Sequence, residues 1–242
     1  MKTFNPVDVA LDASLLKDGV YHYRQWSLDS APHAICVGPT GSGKTSFVKL
    51  IIARLGLRIR SASVLICDFK ADDFRSLRGL PNHFEFSNCV DGLDRYYRAF
   101  QARQSGQDDS RDFRLLVFDE WASFLNLLDK KEADSARTKL STLLMLGRSF
   151  GFQVIISQQR ADAENFVKGA RDNFGLVVAL GNISKESAAM FGFERNRMEP
   201  VSGIGHGYML TNGTDMAAIQ VPRVRDVKRM ETYIRRVVAR PL

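Results

Sequence analysis

The sequence predicts an α/β fold built on a mostly parallel central sheet. Three observations carry this. Four or five short apolar runs lack polar alternation, as strands buried on both faces do. Segments with apolar residues at helical spacing separate them. A late pair of runs flanks Asn212-Gly213, a strong hairpin signal, which places an antiparallel edge on the sheet.

Taken in order, residues 1–30 read as short strands and turns packing on the core. Residues 33–37 (HAICV) form a strand that runs into a Gly-rich turn. A helix follows over 44–55, with Phe47, Leu50, Ile51 and Leu55 on one face. Residues 63–67 are a second buried strand and 83–86 a short third. Residues 90–104 read as a helix, and the polar, Gly-containing stretch 106–111 as a loop. Residues 114–118 form a strand that ends at Asp119 and Glu120. Residues 121–146 are mostly helical, with a charged middle at 129–134 that breaks the helix in two. Strands at 153–157 and 176–180 follow, then a short helix at 184–191 capped by Ser184. The hairpin joins 208–211 to 216–221, and a basic helix over 224–239 closes the chain. These elements suit one domain: a core over 31–222, flanked by residues 1–30 and a tail over 223–242.

Composition excludes several classes. The 242 residues are 45% apolar and 25% charged, which is ordinary for a globular protein and rules out collagen-like, disordered and disulfide-stapled chains. No apolar run reaches the ~18–20 residues that cross a bilayer, and the first dozen residues lack the apolar core of a secretory signal. Cys36, Cys67 and Cys89 are odd in number, form no C-x-x-C pair and sit in apolar stretches, so they read as reduced, buried thiols of a cytoplasmic protein. The net charge is +7, and residues 223–242 alone hold seven Lys/Arg against two Asp/Glu. That balance permits an anionic partner such as DNA.

The most specific chemistry lies in Gly38-Pro39-Thr40-Gly41-Ser42-Gly43-Lys44-Thr45, which fits G-x-x-x-x-G-K-[ST] at every fixed position. Glycines let backbone N–H groups wrap a phosphate without Cβ clashes, and the following helix aims its positive end at the same anion. Lys44 supplies a charge to the β- and γ-phosphates of ATP, and the Thr45 hydroxyl ligates Mg²⁺. Ser46 is the next nucleotide contact. A second half is expected from an acid ending a neighbouring strand, and Asp119 supplies it, with Glu120 placed to activate water. Gln158, just past another strand, is suited to sensing the γ-phosphate.

These stations together resemble the FtsK/HerA superfamily of motor ATPases. Pro32-His33 with the P-loop, Cys67-Asp68-Phe69-Lys70, LLVFDE, GRSFGFQVIISQQR, Arg171-Asp172-Asn173-Phe174 and the 205–221 hairpin are all similar to family stretches. The resemblance spans roughly residues 30–222. It implies a RecA-like core, a homo-hexameric ring, DNA-stimulated ATP hydrolysis at subunit interfaces and movement along DNA. A neighbour's arginine completes such sites, and Arg148, Arg160 and Arg171 are the candidates, with Arg148 and Arg171 favoured by position. Membrane-anchored members carry transmembrane helices ahead of the motor, and the FtsK type ends in a winged helix; neither is expected in these residues.

The expected function is therefore an ATP-driven pump for double-stranded DNA in conjugative or mobile-element transfer, with relaxase or secretion-channel proteins as further partners. A viral genome-packaging ATPase and a nucleotide-gated assembly adaptor are the alternatives. The basic helix can meet DNA phosphates, a neighbouring subunit or solvent. Loop 106–111 and stretch 129–137 are the candidates for lining a pore.

Overall fold

The computed structural model describes residues 4–160, 162–167 and 169–242, so the first three residues of the expected N-terminal unit lie outside the described residues. One ten-stranded sheet organises the fold, with order β2-β1-β10-β9-β8-β3-β7-β6-β4-β5. The parallel part comprises β3 (Ala34–Val37), β4 (Ser63–Asp68), β5 (His83–Glu85), β6 (Arg114–Asp119), β7 (Phe152–Gln158) and β8 (Leu176–Leu180). Every residue of β3, β4, β6, β7 and β8 is buried, which is why these runs are apolar on both faces.

The antiparallel edge is wider than the sequence indicates. The hairpin of β9 (His206–Thr211) and β10 (Asp215–Gln220) pairs with β8 through β9. Asn212 and Gly213 both take left-handed φ at its turn. Beyond it, β1 (Val7–Asp12) pairs with β10, and β2 (Tyr23–Trp26) pairs with β1. The N-terminal strands thus extend the main sheet and cover the open backbone edge of β10. A short helix, α1 (Ala13–Lys17), joins β1 to β2, with its N-terminal N–H groups capped by Asp12. The sequence reading lacks this helix because five residues give no periodicity.

Alternating strand residues feed two cores. On one face, Ala34, Cys36, Val64 and Ile66 pack with α2 (Lys44–Arg58) and α7 (Val227–Val238). On the other, Ile35, Val37, Leu65 and Phe118 pack with α3 (Cys89–Gln104), α4 (Trp121–Leu127), α5 (Lys130–Leu146) and α6 (Lys185–Phe191). The charged break expected near 129–134 falls between α4 and α5, where Asp129 and Glu132 form a reciprocal capping box. Cys36, Cys67 and Cys89 are free and buried.

The basic tail helix is amphipathic in practice. Ile234, Val237 and Val238 are buried, and α7 lies so close to α2 that a Cβ on Gly56 would meet the Tyr233 carbonyl at 3.0 Å. Arg235, Arg236 and Arg240 donate to the carbonyls of Ser76, Gly56 and Arg60. Arg223, Arg225, Lys228 and Arg229 remain exposed. Loop 106–111 is tied down: buried Arg103 pairs with Asp108 at 2.9 Å and donates to the Phe150 carbonyl at 2.8 Å. The loop lies before β6, at the end of the parallel strands away from the P-loop. No helix among the described residues is long and apolar enough to cross a membrane.

Candidate nucleotide site

The P-loop leaves the C-terminal end of β3 and turns into α2. Gly38 and Gly43 are required by contact as well as by φ. Gly38 has φ +154°, and a Cβ there would fall 2.2 Å from the Leu180 carbonyl oxygen. Gly43, at φ +101°, lets the loop before β9 press against the P-loop, where the Gly205 N–H donates to the Ser42 carbonyl at 2.8 Å. Lys44 is buried and donates to the carbonyls of Gly38 (2.8 Å) and Pro39 (3.2 Å), so its ammonium is folded over the loop's own cavity. Pro39, Thr40, Gly41 and Ser46 are exposed around it, and the buried Ser42 hydroxyl has no hydrogen-bond partner among the described residues.

Asp119 ends β6 and is buried. In register it faces Asp68 on β4 and Ser157 on β7. The acidic strand was expected beside the P-loop strand; instead β7 lies between them. Consequently Gln158, which pairs in register with Val37, sits between the P-loop and the acid. Gln158 is fully buried, and neither atom of its amide has a partner among the described residues. Asp119 Oδ2 is likewise unpartnered. Burial pushes the Asp119 carboxyl up to about 7, opposed by the Ser157 hydroxyl and reinforced by Glu120, Asp73 and Asp68.

Glu120 takes left-handed φ and ψ (60°, 46°), a strained conformation for a residue with a side chain. Its N–H donates to the Ser157 carbonyl at 2.7 Å. The aromatic cluster of Phe118, Trp121 and Phe124 holds α4 tightly behind it, and the Trp121 indole N–H donates to the Asn165 carbonyl at 2.9 Å. The turn separates the two carboxylates, leaving Asp119 in line with β6 and sending Glu120 to Lys70, whose Nζ lies 2.8 Å from Oε1.

The sequence reading gave no role to two groups in the loop after β4. Lys70 pairs with Glu120, and Asp73 accepts the Thr45 hydroxyl at 2.8 Å. Lys70 was visible only as part of a family-like stretch. Asp73 is one acid among several in a polar loop, with no spacing to mark it.

The arginines divide. Arg160 follows β7 and lines an open cleft of about 560 Å³ beside the P-loop with Pro39, Thr40, Asn182 and Glu186. Arg148 and Arg171 precede β7 and β8, so they lie at the opposite end of the sheet from the chain's own P-loop. The structure therefore gathers Lys44, Thr45, Asp119, Glu120 and Gln158 at the C-terminal ends of the central parallel strands and keeps Arg148 and Arg171 away from them. His33 also lies at that opposite end; desolvation lowers it to about 3, so it is neutral, and its Nδ1 accepts the Val154 N–H at 3.1 Å.

The donor set suits a hard divalent cation. Thr45 and Asp119 offer only oxygen, and the buried Oδ2 of Asp119 has no partner among the described residues. Mg²⁺ fits this chemistry. The loop glycines and the unpartnered Ser42 hydroxyl fit the phosphates of a nucleotide.

No protein-family model matches the chain. The FtsK domain-containing protein YdcQ of Bacillus subtilis is 30% identical over 223 residues, covering 83% of this chain. The chain spans 45% of that relative's length. Among solved structures, ATPases 2 and 3 of EssC from Geobacillus thermodenitrificans superpose with a TM-score of 0.71 at 12% identity, covering 98% of this chain and 48% of that one. The pCW3 conjugation coupling protein TcpA, solved with ATPγS, gives 0.68 at 19% identity, covering 91% and 66%. The genome packaging NTPase B204 of Sulfolobus turreted icosahedral virus 2 gives 0.53 at 15% identity, covering 79% and 98%. These likenesses match the mostly parallel, helix-flanked P-loop fold. With the motif stations at the C-terminal ends of the central parallel strands and the relationship to YdcQ, the chain belongs to the FtsK/HerA superfamily.

Proposed function

We propose that the chain is an ATPase that drives double-stranded DNA through a homo-hexameric ring, in conjugative or mobile-element transfer. The observation that carries hydrolysis is the convergence of Lys44, Thr45, Asp119, Glu120 and Gln158 at the C-terminal ends of the central parallel strands. The P-loop N–H groups and the start of α2 hold the phosphates of ATP. Lys44 exchanges the Gly38 and Pro39 carbonyls for phosphate oxygens. Thr45 and Asp119 would hold Mg²⁺, which would supply charge neutralisation for the phosphates. Glu120 orients the attacking water and accepts its proton. In this reading the buried amide of Gln158, which has no partner among the described residues, senses the γ-phosphate and relays the departure of phosphate along β7.

Arg148 and Arg171, at the far end of the sheet, serve a neighbouring subunit's site in this reading. Exposed Arg223, Arg225, Lys228 and Arg229 supply cations for DNA phosphates. The conjugation role draws on the likeness to TcpA, and relaxase or secretion-channel proteins are the partners it implies in the cytoplasm. A genome-packaging motor is the second reading, favoured by the match over 98% of B204.

The test is steady-state ATPase rate against protein concentration, with and without long duplex DNA, and with Lys44→Ala as the inactive control. A rate that climbs cooperatively and is stimulated by DNA is expected. A Lys44-dependent rate indifferent to DNA overturns the pump and leaves a nucleotide-gated adaptor.

A further inference from the structure

We propose that Asp73 is a positioning residue of the cation site: it accepts the hydrogen bond of the Thr45 hydroxyl so that a Thr45 lone pair faces the metal. This rests on the nucleotide-binding reading above. A threonine hydroxyl has one proton and two lone pairs. To ligate a cation it must present a lone pair and send its proton elsewhere. In this structure the hydroxyl donates to Asp73 Oδ2, 2.8 Å away, and Asp119 Oδ2 has no partner among the described residues. The two carboxylates thus divide the work, one orienting the hydroxyl and the other free for the cation.

Asp73 is held for this task. The Phe74 N–H donates to Asp68 Oδ2 at 3.0 Å, and the Ala71 N–H to the Asp68 carbonyl at 3.0 Å. Arg78 donates to the Ala71 carbonyl at 3.0 Å, and the Phe74 ring is buried in the core beside α2. The loop is therefore pinned to β4 on one side of Asp73 and to the core on the other. Lys70, in the same loop, reaches Glu120. One loop contacts both the metal-side hydroxyl and the water-side carboxylate. A purely structural staple between α2 and the loop would explain the Thr45 contact without any metal linkage, so the test must read metal dependence.

The measurement is mant-ADP affinity in EDTA and across a Mn²⁺ titration, with bound Mn²⁺ followed by electron paramagnetic resonance. Asp73→Ala is expected to raise the Mn²⁺ concentration that tightens mant-ADP binding by about 10–100-fold, with affinity in EDTA unchanged. Asp73→Asn, which retains an acceptor oxygen, recovers part of the loss. Asp72→Ala, at the exposed neighbour, leaves the titration unmoved. A folded Asp73→Ala chain with wild-type Mn²⁺ dependence, or a folded Asp73→Leu chain with it should the alanine variant not fold, overturns the role of Asp73 alone. A wild-type chain that binds no mant-ADP overturns the nucleotide reading and this proposal together.

Discussion

Lys70 Nζ and Glu120 Oε1 lie 2.8 Å apart, bridging the ends of adjacent strands β4 and β6. Glu120 is nearly buried and Lys70 partly exposed, so the pair fixes the carboxylate more than it stabilises the fold. Lys70 is absent from the P-loop contacts. Lys70→Met is expected to lower kcat for ATP by about 10-fold with KM little changed, and Lys70→Arg to restore most of it. Steady-state kinetics check this; an equal rise in KM would contradict it.

Glu120→Gln removes the proton acceptor and keeps the shape. Hydrolysis should fall by about 10²–10⁴-fold while nucleotide binding persists. Lys44→Ala should lose both. Fluorescent nucleotide titration beside phosphate release separates the two variants, and a Glu120→Gln chain that turns over normally removes Glu120 from the chemistry.

Asp119 makes stability depend on pH in a definite direction. The unfolded carboxyl titrates near 3.8 and the folded one near 7, so the folded state holds the extra proton between these values. Stability is therefore lost as pH rises through this window, by on the order of 4 kcal/mol once both states are ionised. Asp119→Asn should melt higher than the parent at pH 8 in EDTA, with the gap closing towards pH 4. Thermal melts across that range check it.

Two P-loop glycines should separate under the same substitution. A Cβ at Gly38 strikes the Leu180 carbonyl, whereas at Gly41 (φ +79°) nothing lies within 4 Å. Gly41→Ala should cost only the left-handed strain, about 1 kcal/mol. Gly38→Ala should cost roughly 2–4 kcal/mol and lose nucleotide binding. Denaturant melts of the two variants decide the ranking.

The tail cations should also divide. Replacing Arg223, Arg225, Lys228 and Arg229 by Ala is expected to weaken duplex DNA binding and flatten its salt dependence by about 0.9 per phosphate contact removed. Arg236→Ala should instead lower the melting temperature, because Arg236 bonds the Gly56 carbonyl and lies over the Tyr233 ring. An unchanged salt slope in the fourfold variant would assign the exposed face to something other than DNA.

Much of this was legible from local pattern. The P-loop is eight consecutive residues whose backbone does the binding, so spacing alone encodes it. The buried strands announce themselves by unbroken apolar runs, and the Asp129–Glu132 capping box explains the break between α4 and α5. Asp119 and Glu120 are readable because a strand end carries them. Strand order was not readable: nothing in the segments around Gln158 says that β7 lies between the P-loop strand and the acidic strand, or that β1 and β2 continue the hairpin outward. Those pairings follow from how both faces of the sheet are covered by helices far apart in sequence.

The sequence by itself determined the groups on offer: a loop of phosphate-binding pattern and two adjacent acids at a strand end. Only the tertiary structure decided which partners each group meets. Thr45 turns to Asp73 and Glu120 to Lys70 because the loop after β4 crosses both, and Arg148 and Arg171 fall at the far end because they precede parallel strands. The physical reason is range. Backbone cradles and apolar runs are set by neighbours in the chain, whereas side-chain pairs across strand ends exist only once burial of the sheet has fixed its order.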